Sequence, residues 1–283
     1  MLGADFALFY LQQLRSASMN FTKWIKRTSI ACAFFSAAIA AHAAPTLWVS
    51  TGNAGLATVD VATGATSFIG GTSTTLTDIA FSPSGDLYGI SFSSLYRVNS
   101  STGATTLVGS LGSVSGTANA LVFGADGTLY MAGSSLYTVN TLTGASSAIG
   151  SIGYQSGGDL AFVGGNLYMG SSGNQLINVN ITTGAGTLIG SLGVASMFGL
   201  ATPDNLSLYG VADQSVYMVN TTTGAATFQS TFAPSLSGGA FGLAFLTESG
   251  GGNNVPEPGT LALVSLALLG TVAGRRRGAK ITR

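Results

Sequence analysis

One seven-residue phrase recurs five times along this 283-residue chain and constrains its fold more than any other feature. The copies are Val59-Asp60-Val61-Ala62-Thr63-Gly64-Ala65, Val98-Asn99-Ser100-Ser101-Thr102-Gly103-Ala104, Val139-Asn140-Thr141-Leu142-Thr143-Gly144-Ala145, Val179-Asn180-Ile181-Thr182-Thr183-Gly184-Ala185 and Val219-Asn220-Thr221-Thr222-Thr223-Gly224-Ala225. Their glycines lie 39, 41, 40 and 40 residues apart. So regular a period is the mark of a repeat architecture. What recurs in every unit is scaffold, so chemistry is sought where the units differ.

Each unit holds four short apolar runs separated by turn residues. In the second unit they are 76–82, 86–91, 95–99 and 105–110; in the third, 119–123, 128–132, 136–140 and 146–151. The fourth and fifth units repeat the pattern from 159 and 198. Runs of about five residues rich in Leu, Val, Ile, Tyr and Phe predict strands. Four strands in about 40 residues form the blade of a β-propeller. The first unit has only three runs (46–50, 56–60 and 66–70), while a lone first-strand phrase, Phe241-Gly242-Leu243-Ala244-Phe245, follows the fifth. The expectation is therefore an all-β, five-bladed propeller over residues 44–248, closed by the C-terminal strand. Closure protects strand edges that would otherwise template aggregation. The Asn/Asp-x-x-x-Thr-Gly phrase is expected to turn the third strand into the fourth, since Asn or Asp bonds its own turn backbone and Gly accepts a positive φ. The Leu-Tyr of each second strand (Leu87-Tyr88 and its equivalents) is expected in the core.

Charge is scarce at 7% of residues, and it is segregated. Arg15, Lys23, Lys26 and Arg27 lie near the start, and Arg275, Arg276, Arg277, Lys280 and Arg283 near the end. Residues 44–257 hold one cation, Arg97, against nine acids, a net charge of −8. Such a body repels phosphate backbones, which excludes nucleic acid as a partner. The single Cys32 and single His42 both precede it. Without them the body has no disulfide framework, no Cys- or His-ligated zinc and no His-based catalytic triad.

The two ends read as addresses. Residues 19–43 have the layout of a secretory signal peptide: Lys23, Lys26 and Arg27, then an apolar stretch over 28–41, then the small-x-small site Ala41-His42-Ala43. The mature chain is expected to start at Ala44, after export by the Sec machinery and cleavage by signal peptidase. Residues 1–18 then read as an over-extended start ahead of Met19. At the other end, residues 249–254 (Ser-Gly-Gly-Gly-Asn-Asn) read as a flexible tether. Val255-Pro256-Glu257-Pro258 follows, then an apolar run to Ala273, then Arg275-Arg276-Arg277 and the basic end of the chain at 275–283. A helix over 259–274 would span about 24 Å, slightly less than a bilayer core, and the arginines would stay cytoplasmic.

This tail, over residues 255–278, resembles the PEP-CTERM sorting signal. The match lies in Val255, Pro256, Glu257 and Pro258, the short apolar helix and the terminal Arg cluster; Gly259 stands where members often carry Ser or Ala. The resemblance implies processing by exosortase, a membrane enzyme resembling cysteine proteases, in Gram-negative bacteria that make exopolysaccharide. The chain would be anchored transiently in the inner membrane and then passed to the surface or beyond.

Within the body, Asp78 and Asp159 occupy one position of the first strand, where other units have Ala120, Gly199 and Gly242. First strands line a propeller's axis, so two carboxylates could meet a central ligand there, a hard cation such as Ca²⁺ for instance. The bland alternative is that each caps nearby backbone. Asp86, Asp126, Asp204 and Asp213 sit in turns, and Arg97 either faces outward or pairs with a nearby acid. Two functional expectations follow. One is a non-enzymatic module of the envelope or matrix that binds extracellular polysaccharide or surface proteins. The other is a secreted carboxylate-dependent hydrolase or lyase acting on polysaccharide or a lactone, with Asp78 and Asp159 at its site.

Overall fold

A computed structural model describes residues 45–114 and 117–249 of the chain. The signal peptide, its cleavage residues Ala41, Ala43 and Ala44, the tether beyond Ser249, Val255 to Pro258 and the basic cluster lie outside the described residues. Among the described residues no helix is long and apolar enough to cross a membrane.

The described residues form twenty strands in five four-stranded antiparallel sheets. From inside outward, blade one is Ala240–Phe245, Thr46–Thr51, Gly55–Asp60 and Thr66–Gly71. Blade two is Asp78–Phe81, Leu87–Ile90, Ser94–Val98 and Thr105–Ser110. Blade three is Ala120–Phe123, Leu129–Ala132, Ser135–Val139 and Ser146–Ser151. Blade four is Ser156–Val163, Asn166–Ser171, Gln175–Val179 and Gly186–Ser191. Blade five is Met197–Ala201, Leu208–Ala212, Ser215–Val219 and Ala226–Thr231. Each inner strand touches the inner strand of the next blade, and Met197–Ala201 and Asp78–Phe81 both touch Ala240–Phe245, so the circle is complete. The closing strand pairs with the first as Leu47↔Phe245, Trp48↔Ala244 and Val49↔Leu243.

The repeated phrase makes the turn expected of it. In blade four, Asn180 Oδ1 accepts the N–H groups of Thr182 and Thr183, each at 2.9 Å. Gly184 has φ 79°, and its N–H closes back on the Asn180 carbonyl. Asp60, Asn99, Asn140 and Asn220 cap their turns in the same way. The turn does a second job at the seams. Gly70, Gly109, Gly150 and Gly190 of the outer strands lie against the carbonyls of Thr102, Thr143, Thr183 and Thr223 in the following blade. A Cβ at any of them would sit 2.0–2.1 Å from that oxygen, so only glycine permits this approach.

Aromatic pairs also stitch four of the five seams. The second-strand aromatic of one blade packs on the first-strand Phe of the next: Trp48–Phe81, Tyr88–Phe123, Tyr130–Phe162 and Tyr209–Phe245, with centroids 5.1–5.8 Å apart. Edge-on and tilted pairs of this kind add about 0.5–1.5 kcal/mol each beyond their burial. The outermost strands are the wet part of each blade. Each carries a bulge, and Phe68, Leu107, Leu188 and Phe228 stand exposed on them. Bulges kink an unpaired edge and spoil its pairing with another chain.

Candidate functional site

At the axis the inner strands have no further strand to pair with. Their inward N–H groups need acceptors, because an orphaned buried donor is costly. Five structurally equivalent groups, one per blade, belong to Ile79, Leu121, Leu160, Leu200 and Leu243. Two carboxyl groups satisfy all five. Asp78 Oδ1 accepts from Ile79 at 2.7 Å and Oδ2 from Leu121 at 2.5 Å. Asp159 Oδ1 accepts from Leu160 at 2.7 Å, and Oδ2 from Leu200 at 2.9 Å and Leu243 at 3.2 Å. The sequence-predicted pair is therefore brought together, one carboxyl hydrogen-bonded to the other, and fully buried.

That geometry sets the protonation. Burial pushes both carboxyls well above the usual range, and the Asp78 charge raises Asp159 further. Side chains that share a hydrogen bond in this way hold one proton between them. Five N–H dipoles converge on the pair and stabilise the single negative charge that it shares. The other three equivalent positions must be small. A Cβ on Gly242 would lie 2.2 Å from Asp78 Oδ1 and 2.3 Å from its Cα.

A third acid, absent from the sequence-based candidates, lies close enough to interact with both aspartates. Glu248 is buried, accepts from the Phe245 N–H at 3.4 Å, and also bonds the Thr202 backbone. Thr202 occupies the position that is Phe81, Phe123, Phe162 and Phe245 in the other blades. Burial, then the charge of Asp159, raises the Glu248 pKa well above the carboxylate range. Among the described residues its Oε1 has no hydrogen-bond partner, which suits a protonated acid better than an anion. The signal available in the sequence was the break in the Phe series at Thr202.

Chemically, the axis can pin strands together. Converging N–H dipoles favour negative charge and disfavour a cation. The directly bonded carboxyls also lack the gap of about 5 Å or more that paired-carboxylate glycoside hydrolysis needs. Among the described residues no group of three or more acids or other ligands is placed to hold a metal ion.

A second arrangement lies at the seam of blades two and three. Arg97, on the third strand of blade two, lies over the Tyr88 ring, its guanidinium carbon 5.2 Å from the centroid. Its Nη2 donates to the Tyr88 hydroxyl at 2.8 Å, and Asp86 Oδ2 stands 3.9 Å away. Open clefts of about 490 and 390 Å³ flank the pair, both lined by Asp86 and Arg97. Of the other predicted turn acids, Asp126 accepts from Thr128 and Asp204 from Leu206 and Ser207, while Asp213 takes a positive φ.

Comparison with solved structures gives likeness of fold alone. A structural genomics protein of unknown function from Bacteroides thetaiotaomicron VPI-5482 is 14% identical with a TM-score of 0.53, covering 72% of this chain and 62% of that one. The chain thus spans less than two thirds of that protein's length. The virginiamycin B lyase from Staphylococcus aureus is 12% identical at a TM-score of 0.42, with 65% of each chain covered. No curated protein matches the chain. The tail does match a family model, the PEP-CTERM protein-sorting motif, over residues 254–277. The chain is thus a five-bladed β-propeller carrying a PEP-CTERM sorting motif, the mark of an exosortase-sorted extracellular protein.

Proposed function

We propose that this propeller is a non-enzymatic binding or structural module of the cell envelope or exopolysaccharide matrix. Its export would begin at the signal peptide of residues 19–43. It would pause in the inner membrane on the apolar helix, and end when exosortase cuts near Val255-Pro256-Glu257-Pro258. The observation that carries the reading is the sorting motif behind a single propeller. The state of the axis supports the non-enzymatic part. The two acids best suited to catalysis are buried and committed to five backbone donors. Fractionation of the native host with and without its exosortase tests the delivery. The full-mass chain should accumulate in the inner membrane when exosortase is deleted, and Glu257→Ala should reproduce that in the intact host. Surface delivery unaffected by either change would refute the reading.

A further inference from the structure

We propose that the Arg97 edge between blades two and three is a binding subsite for a neutral saccharide; this rests on the reading of the propeller as a binding module. Three observations converge there. First, both residues break the repeat. Arg97 stands where the other blades have Thr58, Thr138, Asn178 and Met218, and Asp86 where they have Thr46, Thr128, Asn166 and Ser207. Blade two alone carries charge at these two positions, which the recurring scaffold does not require.

Second, the polar groups are held in place but left available. Tyr88 is buried and braced by Phe123 at 5.4 Å. It fixes the guanidinium by its ring face and its hydroxyl. Only Nη2 is engaged; Nε and Nη1 make no hydrogen bond among the described residues. At 3.9 Å the contact with Asp86 is too long for a hydrogen bond, so the ion pair is loose. Asp86 accepts from Ser84 through Oδ2 and keeps Oδ1 open. A rigid donor beside an open carboxylate oxygen suits two neighbouring sugar hydroxyls, one accepting from the guanidinium and the next donating to the carboxylate. Pre-ordering of both partners lowers the entropy cost of that contact.

Third, the surroundings supply room and further hydroxyl-matching groups. Asn99, Ser100, Ser101 and Thr106 line the larger cleft, and its volume falls within the range of small-ligand sites, about 300–1,000 Å³. Asn99 uses Oδ1 for its own turn, so its amide donors remain open. Charge selects the class of sugar. Arg97 is the lone cation of a body with nine acids, and Asp126 lines the second cleft. A polyuronate would meet repulsion on approach, whereas a neutral glycan would not.

The test uses the full purified chain in affinity electrophoresis through gels containing a neutral glucan, mannan or galactan, a polyuronate, or no polymer, with a basic peptide titrated separately. The expected result is retardation by at least one neutral polymer, weakened at least tenfold by Arg97→Ala and by Asp86→Asn. Asn178→Ala, at the equivalent position of blade four, should bind as the parent does. Melting curves of all variants guard against unfolding; Asp86→Asn, at a half-exposed side chain, keeps the test informative if Arg97→Ala loosens Tyr88. Retardation unchanged in both variants would overturn the proposal. So would preference for the polyuronate or the peptide, or no neutral binding at all. A surface-delivered chain that ignores neutral glycans defeats this inference alone, whereas a chain that never leaves the inner membrane defeats the reading beneath it.

Discussion

Asp159→Ala is the most informative single change to the fold. Asp159 is the sole side-chain acceptor for three buried donors, the N–H groups of Leu160, Leu200 and Leu243, in blades four, five and one. An unsatisfied buried donor costs about 1–3 kcal/mol, so three cost about 3–9 kcal/mol. Water entering the emptied space would recover part of this, while Asp78 would lose the partner that shares its proton. The net expectation is about 3–5 kcal/mol, the range seen when one member of a buried polar pair is removed. Against a urea dependence of about 2 kcal/mol per M, the midpoint should fall by roughly 2 M. Equilibrium unfolding followed by far-UV circular dichroism reads this directly. Asp126→Ala, which removes an exposed turn acceptor, serves as the control and should cost no more than about 1 kcal/mol. A loss below about 1 kcal/mol for Asp159→Ala, with an unchanged slope, would refute the idea that this carboxyl holds the strands at the axis.

Three further outcomes follow from the same geometry. The propeller should be more stable near pH 4.5 than near pH 7.5. Asp78, Asp159 and Glu248 have folded pKa values raised above their unfolded ones, so their stabilisation is complete below the unfolded value, near 4, and is lost as pH rises through the folded values. Thermal melting across that window checks the sign. Glu248→Gln keeps the shape of the neutral acid, so it should flatten part of the pH dependence and raise the melting temperature at pH 7.5. Gly242→Ala should prevent folding or cost more than about 4 kcal/mol, because its Cβ would meet the Asp78 backbone as well as its carboxyl; soluble yield and denaturation measure it.

The repeat made most of the fold legible in advance. The phrase around Asn180 is a local device whose turn, cap and positive φ follow from four residues, so its meaning does not depend on distant packing. The three-strand first unit and the orphan phrase at 241–245 likewise fixed the closure, because an unpaired strand and an incomplete sheet have one economical solution. The alignment also placed Asp78 and Asp159 at the axis. It could not tell a ligand site from a strand clasp, since that depends on where five N–H groups from five blades point. Glu248 was hidden for a similar reason. It lies just after the last strand, at the very end of the stretch read as propeller, and only the ring folds it back against Phe245 and Thr202. The seam glycines were unread because the carbonyls they accommodate come from a different repeat. The outer strands are the least covered part of each blade. Neighbours cover the inner three strands, but the circumference grows outward and leaves Phe68 and Phe228 in solvent.

Amide hydrogen exchange at the axis tests the central claim most directly. The N–H groups of Ile79, Leu121, Leu160, Leu200 and Leu243 face inward, with the two aspartates as their acceptors. Their protection, compared between the parent and Asp159→Ala, therefore reports the clasp. All five should exchange only through global unfolding, at the rate of the slowest strand amides, and Asp159→Ala should release Leu160, Leu200 and Leu243 ahead of Leu121. Exchange of Leu200 and Leu243 orders of magnitude faster than that of the slowest strand amides in the parent protein would contradict it.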